Sequence, residues 1–432
     1  MKRESRIIAI VVMLIMAATN LTAGGKSQPS AGSSQDIVFM ATSGDGPLQE
    51  QVAAEYTAKT GAKVKFDMYA FDNLFEVIEI KSASHSTDFD AMAVDVPMVT
   101  GYASRGVLKD LNEFFSADEK KQLNDMAVEA GSYRGGFYAV PAMGSSLLMF
   151  YNTTLLKDAG ITLPADISVE KRLTWEDLQD MVRKGMAVID PNRDKGLHGI
   201  EVRQVSRVLY MNVLANSLGG LNIGDDGLTV LGVIDTKPWF DAMTFYQGLV
   251  NERLSSRGII SDEMRNLFVS GKIMFMLDAP SLPAFCDSNN MKDYDCMPVP
   301  AFRGHENQVA TSCGGWHYGV NAYSQKPAAA AEFLKYMTIR EGALQWYDLY
   351  GSMPTLNSLL DKLMNDPNTP NYWKISFYEA GHTAVNRART AGFNEYQDIL
   401  NGAWEDVRNG ESVEPTLRNA VRQLDSALQK YR

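Results

Sequence analysis

Cysteine and histidine are the scarce residues of this chain, three and five among 432 positions. Their scarcity removes whole classes of chemistry. No CxxC pair and no cysteine–histidine spacing suits a zinc site, and no HExxH occurs, so the sequence names no metal ligands. The GxSxG turn of a serine hydrolase is missing too. A phosphate loop would read GxxxxGK[ST]; Gly25-Lys26-Ser27 supplies its end, but Asn20 stands where the first glycine belongs. No motif calls for a cofactor, and none is expected. Basic residues are in the minority, 41 Lys and Arg against 52 Asp and Glu, for a net charge of −11. A nucleic-acid binder would show a basic face, so nucleic acid is not an expected partner.

One calcium-like stretch needs weighing. Asp190, Asn192 and Asp194, with Glu201 at the twelfth position, follow the order of a calcium loop. Lys195 occupies the sixth position, where the sharp turn depends on glycine, and Gly196 comes one residue late. A helix-to-strand turn held by short polar side chains is the better account.

Long apolar runs are also rare. The one that stands out, Ile7 to Ala18, follows Lys2, Arg3 and Arg6 and precedes the small residues Leu21-Thr22-Ala23. That is the layout of an export signal, too short to span a membrane comfortably. Residues 1–23 are read as a signal peptide. Residues 24–35, GGKSQPSAGSSQ, are read as a flexible tether. The cleavage point offers Gly24 and not the cysteine of a lipoprotein, so a soluble periplasmic or extracellular protein is expected. The signal carries three cations and one anion, so the mature chain is near −13. In an oxidising compartment Cys286 and Cys296 suit a short disulfide loop, but spacing does not fix the pairing, and Cys313 is left over.

From Asp36 onward strands and helices alternate. Ile37 to Ala41 is a continuous apolar run suited to a buried strand. Leu48, Val52 and Tyr56 mark one face of a helix that stops at Gly61, and Val64, Phe66 and Met68 alternate as a second strand. A further helix over 73–82 and a strand over 89–94, ending at Asp95, continue the rhythm. Strands are expected at 138–141, 147–151, 272–277 and 318–320. Thr174 caps a helix carrying Trp175, Leu178 and Met181, with Asp177 in the capping-box position. Ala330, Phe333, Leu334 and Met337 mark a core-facing helix, as do Leu417, Val421, Leu424 and Leu428. The class is α/β, with open doubly wound sheets covered by helices.

In such sheets ligands sit beyond the carboxyl ends of the strands. That rule selects Ser43-Gly44-Asp45, the segment from Tyr69 through Phe71 to Asp72, Asp95, Met143 to Ser145, and the glycine corner Gly314-Gly315-Trp316. An indole on a glycine-rich corner is either displayed to a ligand or capping the core; a carboxylate such as Asp95 either accepts hydroxyl hydrogens or serves a salt bridge. The Ser43–Asp45 stretch is equally compatible with a plain turn.

Several matched stretches in order give the chain a specific resemblance. They are Phe89-Asp90 with Gly101-Tyr102 and Gly106 to Leu111, Tyr138-Ala139-Val140-Pro141, Phe150-Tyr151-Asn152 with Leu155 to Ile161, Thr174 to Leu178, Phe268 to Lys272, and Gly314-Gly315-Trp316. From about Asp36 to the C-terminus the chain resembles the extracellular solute-binding proteins of bacterial sugar importers, the family that includes maltose-binding protein. The resemblance implies a two-lobe periplasmic binding protein fold of type II, its lobes joined by a multi-strand hinge. Its lobes would be 36–148 plus 303–342 and 149–302 plus 343–432, with crossings near 149, 298–302 and 342. It implies a monomer that holds a carbohydrate and meets an ABC transporter permease, with no catalytic role. A polyamine or glycerol phosphate receptor and a secreted carbohydrate-active enzyme are the alternatives. Trp316 would cover a sugar face, backed by Gly315. Ser145 and Asp278 fall where relatives line their cleft, and Trp239 is either a second platform or core. Where maltose-binding relatives carry a stacking tryptophan this chain has Ser281, which argues against a maltodextrin.

Overall fold

The computed structural model describes residues 36–432, apart from 204–207, 260 and 351–352 and the side chains of 71, 72, 261, 262 and 350. The expected signal peptide and tether lie outside the described residues.

Twelve strands are described. In chain order they are β1 Ile37–Thr42, β2 Val64–Tyr69, β3 Ala91–Asp95, the short pair β4 Ser132–Tyr133 and β5 Gly136–Phe137, β6 Ala139–Ser145, β7 Leu148–Asn152, β8 His198–Val202, β9 Ile273–Asp278, β10 Tyr294–Met297, β11 Thr311–Val320 and β12 Ala384–Asn386. Two larger sheets result. The first runs β12-β11-β3-β1-β2, with β6 on the other side of β11. The second runs β10-β7-β9-β8.

The opening strand–helix–strand segment folds as its periodicity predicts. β1 and β2 pair in parallel from Ile37↔Val64 to Thr42↔Tyr69, and β3 joins β1 in parallel. The intervening helix Gly46–Thr60 starts with proline in its first turn and ends at Gly61, whose φ of 77° is the left-handed cap that glycine favours. The third strand begins at Ala91 rather than Phe89, directly after Asp90. Its buried carboxylate accepts from Val38 N at 2.9 Å and from Ser324 Oγ at 2.6 Å.

The glycine corner proves to be strand interior. Gly314, Gly315 and Trp316 all belong to β11, which runs antiparallel to both β3 and β6. The β6 register slips between Trp316 and His317, a bulge beside the double glycine. Gly315 has φ of 123°, and an added Cβ would lie 2.0 Å from the Met143 carbonyl oxygen. Only glycine lets the two backbones approach this closely.

Each sheet has its own core. Phe39, Tyr56, Phe333 and Tyr318 gather over the first, with Phe39 edge-on to Tyr318 at 5.1 Å. Trp175, Trp239, Trp404 and the Leu417, Val421, Leu424, Leu428 face fill the second. Thr174 caps the helix Trp175–Ile189 by accepting from Asp177 N at 3.1 Å, while Asp177 itself turns to Arg303 at 2.8 Å. The capping box is therefore half built.

Among the described residues three segments join the sheets: residues 146–147 between β6 and β7, residues 298–310 between β10 and β11, and residues 387–392 between β12 and the helix Phe393–Asn409. Ala388 and Phe393 already pack in the second core. Gly342 lies in the first turn of the helix Glu341–Tyr350, which packs on Gly46–Thr60, so no crossing occurs there.

Cys286, Cys296 and Cys313 are buried free thiols, so the 286–296 loop is not closed by a disulfide. Burial raises Cys286 and Cys296 to about 12 and Cys313 to about 11. The calcium-like stretch is a turn: Asp190 Oδ1 accepts from Asp194 N and Lys195 N, at 3.0 and 3.3 Å. Among the described residues no group of acidic, histidine or cysteine side chains is placed to hold a metal, and no helix is long and apolar enough to cross a membrane.

Candidate functional site

The carboxyl ends of β1, β2 and β3 share one edge of the first sheet. Strand pairing brings most of the expected residues together there. Trp316 stands opposite Asp95 on one side and Met143 on the other, and Gly314 stands opposite Ser145. Met143 is buried, while Asp95, Ser145, Gly315 and Trp316 are half-buried. Strand alternation sends the two neighbours Trp316 and His317 to opposite faces. His317 turns inward, 1% exposed, and its Nε2 lies 2.8 Å from the Ala127 carbonyl oxygen. Burial pulls the imidazole down to about 4, so it is neutral and donates from Nε2.

Trp316 turns outward and meets a partner that sequence reasoning missed. Phe75, on the helix Phe71–Ala83, lies nearly parallel to the indole, 7° between planes and 6.2 Å between centroids. The signal was available, since Phe75 falls one helical turn after Phe71 in the same segment. The side chains of Phe71 and Asp72 lie outside the described residues.

Asp95 closes β3 and is joined by a second residue not foreseen. Arg387 Nη2 donates to Asp95 Oδ1 at 2.7 Å, its side chain 9% exposed. A guanidinium on one carboxylate oxygen fixes the group's plane and leaves the other oxygen for a further donor. Arg389, two residues on, pairs with Glu129 at 2.6 Å.

Ser43, Gly44 and Asp45 follow β1 and form a turn. Ser43 N donates to Tyr69 O at 2.7 Å, and Asp45 Oδ2 accepts from Thr42 Oγ1 at 2.9 Å. Ser43 and Gly44 are exposed at the same edge.

At the carboxyl end of β9, Asp278 is fully buried and heavily engaged. It accepts from Arg265 Nε at 2.8 Å, Arg265 Nη2 at 3.0 Å, Arg203 Nη1 at 2.8 Å and Ala279 N at 2.7 Å. Burial alone would raise this carboxyl; the Arg265 and Arg203 guanidiniums outweigh it and hold it below the usual range. Asp278 thus fixes two arginines, which are the partly exposed groups of that corner. Ser281 is held in the same cluster by Arg265 Nη2 at 2.9 Å. Trp239 lies apart from all of these. It is 0% exposed in the second core, with its indole N–H on Leu221 O, so it offers no face to a ligand.

The arrangement places two parallel, half-buried aromatic rings beside a held carboxylate at one sheet end, and guanidinium groups at the end of the other sheet. Separately, a cavity of about 260 Å³ lies at the β10 edge, lined by Phe150, Tyr294, Cys296, Asn371 and Tyr372, remote in sequence and strand position from the carboxyl-end residues.

Comparison with known proteins gives consistent results. The family model of the bacterial extracellular solute-binding proteins matches residues 41–343. A binding protein of Brucella abortus is 23% identical over 290 residues, which are 61% of this chain and 66%, just under two thirds, of that protein. A protein of Deinococcus radiodurans described as a probable ABC transporter-binding protein is 25% identical over 385 residues, 86% of this chain and 88% of that one. Among solved structures, the GacH receptor of Streptomyces glaucescens, known unliganded and with acarbose, superposes with a TM-score of 0.75 at 21% identity. That match covers 92% of this chain and 99% of the receptor, and it supports the two-lobe α/β architecture.

Proposed function

The chain belongs to the bacterial extracellular solute-binding proteins, and from that premise we propose that it is an exported receptor which captures a sugar or oligosaccharide and delivers it to an ABC importer. The first lobe is built on the six-stranded sheet and the second on the four-stranded one, with the ligand between their carboxyl ends. Closure bends the three connecting segments, and a ligand favours the closed form only through contacts it gains there. The chain acts as a monomer and turns nothing over.

The observation that carries this reading is the parallel Trp316–Phe75 pair beside the Asp95–Arg387 ion pair. A pyranose offers an apolar C–H face and a rim of hydroxyls. Covering ~100 Å² of that face at ~25 cal/mol per Å² contributes about 2–3 kcal/mol before ordering costs. Asp95 and Arg387 supply an acceptor and donors for the rim. The acarbose complex of the GacH receptor supports a carbohydrate on this fold. A polyamine or glycerol phosphate is less well supported, because the charged groups at both sheet ends already answer one another, Asp95 to Arg387 and Asp278 to Arg203 and Arg265.

Thermal-shift screening of residues 24–432 against mono- and oligosaccharides, spermidine and glycerol phosphate, followed by calorimetry and product chromatography, tests the proposal. Stoichiometric binding of a saccharide without products is expected. Saccharide turnover, or a response to spermidine or glycerol phosphate alone, would overturn it.

A further inference from the structure

The helix Asn371–His382 touches both sheets, and its two faces do different things. Trp373, Phe377 and Ala380, spaced i, i+4, i+7, pack in a cluster with Met353, Leu359 and Leu363. That cluster is fixed to the first sheet, where Gly144 N donates to Met353 O at 2.8 Å and Thr355 Oγ1 to Pro141 O at 2.9 Å. The adjacent stripe is Ser376, Glu379 and the C-cap residue Thr383, spaced i, i+3, i+7, and each member holds one of the segments that join the sheets, or a strand end beside one.

Ser376 Oγ lies 2.8 Å from Ser146 Oγ, in the two-residue connection between β6 and β7. Glu379, fully buried, accepts from Val299 N at 3.3 Å in the connection between β10 and β11, and from Arg172 at 2.5 and 3.2 Å. Arg172 Nη1 also donates to Val299 O at 3.1 Å, and the adjoining Trp175 anchors that segment in the second core. Thr383 donates its hydroxyl to Glu379 Oε2, and its backbone carbonyl accepts from Thr311 N at 2.9 Å, where β11 begins, just before the chain enters β12. Thr311 Oγ1 in turn accepts Leu147 N at 2.7 Å, which closes the circuit back to the first connection.

We propose that Glu379 is a positioning residue for the cleft: through Arg172, Val299 and Thr383 it braces two of the three connections, residues 146–147 and 298–310, and sets the resting angle between the lobes. The inference rests on the two-lobe reading above. The physical reason is the ion pair's burial. Any bend that parts Arg172 and Val299 from Glu379 strands a carboxylate in the interior, so the connections shift as a unit instead of flexing one by one.

The test places spin labels on Ile80→Cys and Val188→Cys, exposed positions on helices that cover the first and second sheet respectively; the native thiols are buried and do not compete. The label-distance distribution and the amide exchange of Leu147, Val299 and Thr311 are measured in this background, in Glu379→Gln, and in the apolar pair Arg172→Met/Glu379→Leu. A broadened or shifted distribution is expected in both variants, with the three amides exchanging about tenfold faster together. The apolar pair regains the melting temperature that Glu379→Gln loses, since apolar residues replace a buried ion pair well. It does not regain the distance distribution, because no group then holds Val299 N. Folded variants with unchanged distances and unchanged exchange would overturn the proposal, as would an apolar pair that restores both readouts. Three amides that quicken together while the labels never move would instead refute the two-lobe reading, and the cleft role of Glu379 with it.

Discussion

Trp316 and Phe75 present parallel rings, 6.2 Å apart between centroids, from two elements that are distant in the chain. Neither ring is fully buried, and Trp316 also packs against the first core. Trp316→Ala removes half of the pair. We expect saccharide affinity to fall at least about tenfold, as the apolar contact of one sugar face is lost, and the melting temperature to fall by only a few degrees. Calorimetry with the tightest saccharide of the panel, beside a thermal melt, separates the two effects. Undiminished affinity would remove Trp316 from the site.

Gly315 and Gly314 should respond differently to the same substitution. At Gly315 a methyl meets the Met143 carbonyl at 2.0 Å and the φ of 123° is closed to alanine; at Gly314 the nearest atom is the Ser145 Cβ at 3.4 Å. Gly315→Ala is expected to cost about 2–4 kcal/mol and Gly314→Ala less than about 1 kcal/mol. Urea unfolding of both variants checks the contrast, and equal stabilities would contradict it.

Glu201 is a buried acid on β8. It accepts from Ser255 Oγ at 2.9 Å and Ser256 N at 2.8 Å, yet burial lifts its carboxyl to about 7. Because the folded chain holds this proton more tightly than the unfolded one, the stabilising contribution is complete below about pH 4.5 and is lost as pH rises through about 7. Glu201→Gln should therefore gain on the parent between pH 5 and pH 8, by a few kcal/mol at most. A stability difference that stays flat over that range would show the carboxyl to be ionised throughout.

His317 has the opposite sign. Its folded value of about 4 lies below the ordinary 6.5, so its contribution is present above 6.5 and lost as pH falls through 4. The imidazole should show no NMR titration between pH 8 and pH 5.5. His317→Asn should flatten the acid limb of the stability profile between pH 6.5 and pH 4. A ring that titrates near pH 6.5 would refute the buried neutral form.

The strands and helices were legible wherever one face or one full run had to be apolar. The run from Ile37, the Leu48–Val52–Tyr56 face and the Leu417–Leu428 stripe carry their burial in their spacing. Gly315 was legible as special but not as strand, because a glycine required for close backbone approach reads the same as a glycine at a corner. Phe75 was signalled only by its spacing of one helical turn from Phe71, and Arg387 was not legible at all as a site residue. Arg387 follows Asp95 by 292 positions, and only the parallel pairing of β12 with β11 brings it near. Asp278 was found by its place after a strand, while its service to two arginines depended on a helix and a strand end that no local pattern links. The crossing expected at Gly342 failed for the same reason: helix periodicity does not reveal which sheet a helix covers.

Cys286 and Cys296 share one buried apolar cluster, Cys313 lies on β11 in the first sheet, and all three are unpaired. Folding of this chain is therefore expected to need no thiol oxidant and no disulfide isomerase, and to reach the same state under reducing and oxidising conditions. Dithiothreitol is expected to leave its yield and melting behaviour unchanged.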